Sequence, residues 1–466
     1  MALFVDCPQE IVDSILQWLS PKDIRALCLV DKSRCTAAQP RLYFRIEWEW
    51  AAKVPPVDLL LRTLLEKPAL GECVQSVILK GVDIPGQYCC PATPAKPQFD
   101  DGGVDDLVAF VKSRELPRRY TNHWIKGLRS SRSTLKMDAY IACLLAMLPN
   151  LGFLKLEPGF AVRSKLSSRM FRAALSVFPR QHRPKLPHFE QLRDVAHLRR
   201  IASIPFGRSK GADLLTPFLY LPKVHQVSAC IDNTPYWRWP ERKPALETLT
   251  TLNLAFIHAK HLGTILSETK NLQALRWDWR GWPYTQSTDG HWISLDEIMA
   301  ALQHVQETLI ELKVLGSCNY LSYHRRTVRL TGSLQGMVSF KKLKTLEIPL
   351  AFLAGLAAPD QPTQIGESLP VTVEHVALTD DFCKTNDWQG QQQLEVFSLW
   401  MDNLKNTTSR LQRFVWVTLL RDTVVEWHSK SVLTTRLLDA CGRAGVEFEI
   451  DPRYGNFERK HYLGWD

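Results

Sequence analysis

One short pattern, L-x-x-L-x-L with any large apolar residue at the L positions, recurs along this chain and constrains its fold more than any other feature. Apolar residues at alternating positions predict a strand with one buried face. A unit of one strand and one helix buries its apolar side only by stacking on its neighbours. The pattern begins at Val74, Leu151, Leu249, Leu272, Leu309, Leu343, Val373 and Leu411, with a poorer match at Val224.

The segments between these patterns are long enough for a return helix. From Val224 onward, successive patterns begin 23 to 38 residues apart. Helical spacing of apolar residues is found at 259–269, 295–305 and 431–444. Three segments are rich in proline, glycine or aromatic residues and are predicted to be loops: 84–103, 232–244 and 355–370.

The N-terminal stretch PQEIVDSILQWLSPKDIRALCLV, residues 8–30, predicts two short amphipathic helices that are separated at Ser20-Pro21. Ser20 is placed to cap the second helix, and Pro21 suits its first position. Asp31 predicts the cap of a third short helix that ends near Pro40. Helices this short cannot bury both of their faces, so either the rest of the chain or a partner protein must cover the apolar surface.

Residues 5–45 resemble the F-box family, whose pattern is approximately L-P-x-E-ϕ-x-x-x-I-L-x-x-L-s-P-x-D-ϕ followed by a later Val and a closing L-Y or L-W. Two positions depart from it: Cys7 stands where the family has Leu, and Arg34 stands where an aromatic residue is common. In that family the helices dock onto a Skp-type adaptor, which links to a cullin–RING ubiquitin ligase. The resemblance implies an adaptor-facing set of Pro8, Ile11, Ile15, Leu16, Leu19, Ile24, Leu27 and Val30.

The strand pattern of the remaining chain resembles an irregular leucine-rich repeat of the kind attached to F-boxes. The Asn or Cys that usually follows the pattern is missing at every repeat. The expected fold is therefore α/β, with an N-terminal three-helix F-box at 1–46 and an irregular leucine-rich-repeat-like solenoid of strands and return helices at 47–466. A mixed α/β fold is the alternative.

A target protein would contact the concave side of such a solenoid. The residue between the last two pattern positions of each strand points to that side. Exposed Trp side chains commonly anchor protein interfaces, although burial in a core is their more frequent fate. The expected substrate-binding residues are Arg276, Lys313, Glu347, Trp237, Trp239 and Trp282.

The net charge of +10 is unevenly distributed. Residues 112–136 carry eight Lys or Arg against one acid, and residues 163–200 carry ten against two. A basic block of this kind attracts nucleic acid or acidic protein segments through its field. A solvated basic surface without a partner is the simpler interpretation.

The sequence contains none of the motifs that would indicate catalysis, such as G-x-S-x-G, a glycine-rich phosphate loop or H-E-x-x-H. Its 11 cysteines include no C-x-x-C pair. The longest apolar run, 139–149, is too short to cross a bilayer. We therefore expect no enzyme activity, no catalytic residues, no cofactor, no metal site and no membrane partner, and a cytoplasmic or nuclear location.

The expected function is that of a substrate-recognition subunit of an SCF-type E3 ubiquitin ligase. The F-box would bind the adaptor, the repeat domain would bind an unidentified target protein, and catalysis would belong to other subunits. Two alternatives are a non-ligase protein–protein interaction scaffold whose first helices cap the array, and a nucleic-acid binder that uses the basic region 112–200. Under the main hypothesis nucleic acid is not an expected partner.

Overall fold

The computed structural model describes residues 7–50, 53–81, 101–161, 164–175, 184–198, 215–231, 237–239, 242–280, 291–317, 328–356, 365–381, 388–419, 423, 426–428 and 431–453. The chain divides into two compact units. The first comprises Met1–Ile204, Asp213–Val224 and Trp239–Lys243, and the second comprises Pro205–Ala212, His225–Arg238 and Pro244–Asp466.

The first unit begins with three helices and continues into a parallel sheet. Its elements are α1 (Gln9–Trp18), α2 (Pro21–Cys28), α3 (Lys32–Tyr43), β1 (Arg45–Trp50), α4 (Val57–Glu66), α5 (Ala69–Cys73), β2 (Ser76–Gly81), α6 (Asp101–Ser113), α7 (Arg118–Leu128), α8 (Ser133–Leu145), β3 (Phe153–Leu156), α9 (Pro158–Ala161), α10 (Lys165–Ala174) and β4 (Asp194–His197). The strands pair in chain order, and the first register row is Arg45, Ser76, Phe153 and Asp194.

The predicted caps form at the first helices. The Ser20 hydroxyl oxygen accepts a hydrogen bond from the Asp23 amide at 3.2 Å, and the Asp31 carboxylate accepts one from the Arg34 amide at 2.7 Å. The expected end of α3 near Pro40 is wrong, because the helix continues to Tyr43. Proline inside a helix costs about 3 kcal/mol. Burial of Ala38 in the helical core, with Leu42 packed against that core, offsets this cost.

The second unit contains a longer parallel sheet. Its elements are β5 (Gln226–Cys230), β6 (Thr251–Ala255), α11 (Ala259–Leu266), β7 (Ala274–Arg280), β8 (His291–Ser294), α12 (Leu295–Leu302), β9 (Glu311–Ser317), β10 (Val328–Thr331), β11 (Thr345–Pro349), α13 (Leu350–Ala354), β12 (His375–Thr379), α14 (Gly390–Asp402), α15 (Leu404–Thr407), β13 (Arg413–Thr418), α16 (Val432–Ala444) and β14 (Glu447–Pro452). The strand order is β5-β6-β7-β9-β11-β12-β13-β14, while β8 and β10 form a separate pair.

The expected F-box followed by a leucine-rich-repeat-like solenoid is wrong as a description of this fold. The described residues form an α/β structure with sixteen helices and with twelve strands in parallel sheet, four in the first unit and eight in the second. All nine patterns do form strands, but their connections share no common unit. Three helices, α6–α8, lie between β2 and β3, whereas β8 and β10 pair apart from the larger sheet.

The physical reason for this error lies in what the pattern reports. Alternating apolar residues record that one face of a strand is buried, which holds in any covered parallel sheet. They carry no information about the segments that cover the strands. Those segments differ in length and composition from one connection to the next, so a repeat could not be inferred from the strands alone.

The described ends of two of the three predicted loops, 84–103 and 355–370, are helical. Helix α6 begins at Asp101 and a 3₁₀ helix covers Ile365–Ser368. Residues 82–100, 232–236, 240–241 and 357–364 lie outside the described residues. No helix in the described ranges combines the length and the apolar character needed to cross a membrane.

Large aromatic side chains fill the core of the second unit near its last strands. The ring of Phe397 lies 5.1 Å from that of Phe414 and 5.0 Å from that of Trp416. Trp427 donates from its indole nitrogen to the Gln393 side chain at 2.8 Å. The neighbouring strand β14 has Glu447, Glu449 and Asp451 at alternate positions and ends at Pro452.

Candidate docking surface on the first three helices

The first three helices share a small core of their own. Val12 and Leu16 of α1, Ile24 of α2 and Ala38 of α3 are all at most 4% exposed. Six partly buried residues pack around this cluster: Cys7, Leu19, Leu27, Cys28, Ala37 and Leu42. Each helix therefore presents one face to its two neighbours, and the opposite face is left for solvent or a partner.

An exposed stripe of α1 beside its inner face is apolar. Ile11, Ile15 and Trp18 are 50%, 41% and 90% exposed. Their spacing of i, i+4 and i+7 places the three side chains on one side of the helix. Leu29 and Val30, which follow α2, are 80% and 58% exposed. The exposed residues of α1, Ile11, Ile15 and Trp18, are called the docking surface below.

The structure divides the predicted adaptor-facing residues into two groups. Pro8, Ile11, Ile15 and Val30 are exposed, whereas Leu16 and Ile24 are buried and Leu19 and Leu27 are half-buried. Placing Leu16 and Ile24 on an adaptor-facing surface was therefore wrong, because three short helices need these side chains to hold each other together. Leu19 and Leu27 pack against the same core.

Sequence reasoning missed Trp18 and Leu29. The signal for Trp18 was present, because it lies seven residues after Ile11 and three after Ile15, which is the spacing of one helix face. Leu16 and Leu19 follow the same rule on the inner face, so the sequence alone left two competing apolar faces. Only the packing shows which one is exposed.

The same segment carries exposed charges of both signs. Lys22, Arg25 and Lys32 are exposed, as are Glu10 and Asp23. The Arg34 guanidinium pairs with the Asp31 carboxylate at 3.1 Å. Burial, and then the neighbouring Cys35, raise the pKa of the Cys28 thiol. The thiol is therefore neutral at physiological pH.

The residue row that the sequence selected as a substrate surface is aligned across the second unit. Ser228, Asn253, Arg276, Lys313, Glu347, Ala377, Val415 and Glu449 occupy one register row of the sheet. The alignment follows from the parallel pairing of successive strands.

Two of the predicted contact residues in this row are engaged within the chain. Glu347 is only 5% exposed, and its carboxylate pairs with the Arg453 guanidinium at 2.5 Å. Arg453 also donates to Asp451 at 2.6 Å. The Lys313 ammonium pairs with Glu311 at 2.6 Å, and its side chain keeps 34% exposure. Glu347 is therefore a structural partner of Arg453 and offers little surface to a substrate.

The predicted tryptophan contacts are mostly unavailable. Trp237 is 8% exposed, so its proposed role at an exposed interface is wrong. Trp239 is half-buried, and its ring lies edge-on to that of Tyr220 with 6.4 Å between centroids. Trp282 lies outside the described residues. Arg276 and Lys313, both half-buried, remain as predicted contacts.

One buried polar cluster in the first unit has residue types that are found in catalytic sites, but its cavity is too small for a substrate. The Ser164 hydroxyl lies 2.8 Å from Nε2 of His197, and both residues are buried. Asp138 lines the same cavity as Ser164, and burial raises its pKa to about 6. The cavity holds about 10 Å³, which is room for about one water molecule. The cavity has no room for a substrate.

A second acidic cluster lies beyond the carboxyl end of β12. Burial, followed by the charge of Asp380, raises the pKa of Asp381 well above its usual value. The Asp381 carboxylate accepts hydrogen bonds from the Thr379 hydroxyl at 2.9 Å and the Gly316 amide at 3.2 Å. Within the described ranges, no group of three or more His, Cys, Asp or Glu side chains could hold a metal ion.

No protein-family model matches this chain, and no curated protein matches its sequence. Functional inference therefore depends on the residue pattern of the first helices and on the geometry of the docking surface.

Proposed function

We propose that the docking surface binds a Skp-type adaptor and that the chain is a substrate-recognition subunit of an SCF-type ubiquitin ligase. The observation that carries the proposal is Trp18. This side chain is 90% exposed on the same helix face as Ile11 and Ile15. Contiguous exposed apolar surface marks interaction sites, and tryptophan is enriched among the residues that dominate binding energy.

The internal core of the helices supports the same proposal. Val12, Leu16 and Ile24 already bury the inner faces without using the docking surface. The exposed side chains are therefore not required to complete the packing of the described helices. An apolar surface that is retained although folding does not need it is best explained by a partner.

In this function the chain itself performs no bond chemistry. Holding a target protein near a conjugating enzyme raises the effective concentration of target lysines, and the rate increase comes from proximity. The target would bind to the remainder of the chain, for which Arg276 and Lys313 are the proposed contacts. A cytoplasmic or nuclear location is part of the same proposal.

The test is co-purification with a Skp-type adaptor. Ile15→Asp places a charge in the docking surface, where burial of an unpaired carboxylate opposes binding. We expect it to abolish co-purification. Leu438→Asp is the matched control, because Leu438 is also helical and is 46% exposed. The control variant should bind the adaptor as the wild type does.

Two results would reject the proposal. The first is failure of the wild-type protein to bind the adaptor at micromolar concentration. The second is equal binding by wild type and Ile15→Asp, which would show that an adaptor interaction uses some other surface. Circular dichroism of both variants establishes that neither substitution acts through unfolding.

A further inference from the structure

Helix α7 carries a basic face that the proposed function does not use. Arg118, Arg119, His123 and Lys126 are all exposed, while Trp124 is buried on the opposite side. The helix, RRYTNHWIKGL, contains no acidic residue. The positions of its basic side chains fall within about 140° of arc at 100° per residue, so they share one side of the helix.

Most of this positive charge has no partner in the described part of the chain. Ion pairs are found near α7 for Arg129, which contacts Asp105 at 3.1 Å, and for Lys185, which contacts Glu115. No described carboxylate pairs with Arg118, Arg119 or Lys126. The same holds for Lys112 and Arg132, which flank the two ends of α7 along the chain.

The position of these charges disfavours the helix. Arg118 and Arg119 stand in the first turn, where the helix dipole is positive and acidic residues are preferred. No acidic residue offsets them in that turn. Their charge therefore does not serve the stability of α7, and an external anion would remove the repulsion.

The described residues of 101–198, the chain segment that carries α7, indicate which kind of anion fits. In residues 101–161, 164–175 and 184–198, no Phe, Tyr, Trp, Leu, Ile or Val with a described side chain is exposed. Protein interfaces normally depend on such anchors, and single-stranded nucleic acid is bound by stacking on aromatic side chains. A duplex can be held by its phosphates alone.

We infer that this basic face binds the phosphate backbone of a double-stranded nucleic acid without reading its sequence. The face is defined by Arg118, Arg119 and Lys126 of α7, with His123 on the same side of the helix. Eleven residues of helix span about 16 Å, which corresponds to about five base-pair steps of 3.4 Å. The three Arg and Lys side chains on this length can neutralise about three phosphates.

The experiment measures binding of the full chain to a labelled 20-base-pair DNA duplex by fluorescence anisotropy between 50 and 300 mM KCl. Neutralising about three phosphates gives a slope of about −2.7 in log K against log salt. The variant Arg119→Glu/Lys126→Glu should bind at least tenfold more weakly, with a slope shallower by about 2. The control Lys67→Glu/Lys270→Glu changes the net charge equally at exposed lysines outside this face, and should change affinity less than threefold.

Several outcomes would overturn the inference. They are absence of binding at 10 µM protein in 50 mM KCl, a salt slope near zero, and equal losses in the test and control variants. Stronger binding to polyglutamate, to phosphatidylserine vesicles or to single-stranded DNA would assign the face to another class of partner. If the double variant misfolds, the single variants Arg119→Ala and Lys126→Ala replace it. Each should make the slope of log K against log salt shallower by about 1. Adaptor binding is measured separately, so either proposal can fail alone.

Discussion

The substitution Trp18→Ala should weaken adaptor binding without changing the stability of the fold. Trp18 is 90% exposed in the free chain, so its removal takes away almost no internal packing. Surface substitutions of this kind change the free energy of unfolding by less than about 0.5 kcal/mol. If the docking surface binds an adaptor, the Trp18 side chain is covered in the complex, and its removal weakens binding.

The magnitude follows from the area that a partner would cover. A buried tryptophan removes about 200 Å² from water, and at about 25 cal/mol per Å² this corresponds to about 5 kcal/mol as an upper bound. Measured losses at interface hot spots are smaller, about 2–4 kcal/mol. The expected weakening of adaptor binding is therefore about 30-fold to 700-fold.

Calorimetric titration of the adaptor into wild type and Trp18→Ala gives the affinity change. Hydrogen exchange of the segment Gln9–Tyr43 reports whether the helices stay folded. Leu16→Ala is the contrasting variant, because Leu16 is 1% exposed and its truncation should destabilise the helices by about 3–5 kcal/mol. A loss in adaptor affinity below threefold for Trp18→Ala, or faster exchange in that variant, would refute the assignment of Trp18 to the interface.

Two further predictions concern the fold of the first unit and of α16. In the folded protein the pKa of Asp138 is about 6, whereas its usual value is 3.8. The free energy of unfolding of wild type, compared with that of Asp138→Asn, should therefore be highest below about pH 4. It should fall by about 3 kcal/mol in total as the pH rises through 6. Urea unfolding at several pH values measures this difference, and a constant difference would contradict the burial argument. Gly71→Ala should destabilise by about 1–3 kcal/mol, because the added Cβ would lie 2.3 Å from the Met147 carbonyl oxygen. Gly442→Ala lies in the exposed last turn of α16 and its added Cβ would meet no atom within 4 Å, so it should instead stabilise by about 0.4–1 kcal/mol in thermal unfolding. Equal shifts in both variants would count against this packing argument.

Local features of this fold were predictable because they depend on few residues. Ser20 and Asp31 cap their helices as expected, since a cap needs only a side-chain oxygen three residues before an unpaired amide. The strands follow the alternation of apolar residues for the same reason. The end of α3 was not predictable, because the burial of Ala38 is a tertiary contact that the sequence around Pro40 does not reveal.

The candidate surfaces show a similar limit. The register row from Asn253 to Val415 could be listed from the pattern, but the ion pair of Glu347 with Arg453 joins residues 106 positions apart and could not. On α1 the sequence offered two apolar faces, and the choice of Leu16 over Ile15 as the inner residue depends on α2 and α3. The basic residues of α7 were visible as a charge block, whereas the lack of exposed large apolar side chains among the described residues of 101–198 is known only from the packing.

The composition of β14 has a consequence for the behaviour of the protein at high concentration. In the described part of the chain this strand pairs only with β13, so its other side is an edge. A second molecule adding a strand there would bring Glu447 and Glu449 against the same acids of its own copy, and Pro452 lacks the amide hydrogen needed to extend the ladder. The carboxylates and proline of this edge thus protect against fibre-like self-association.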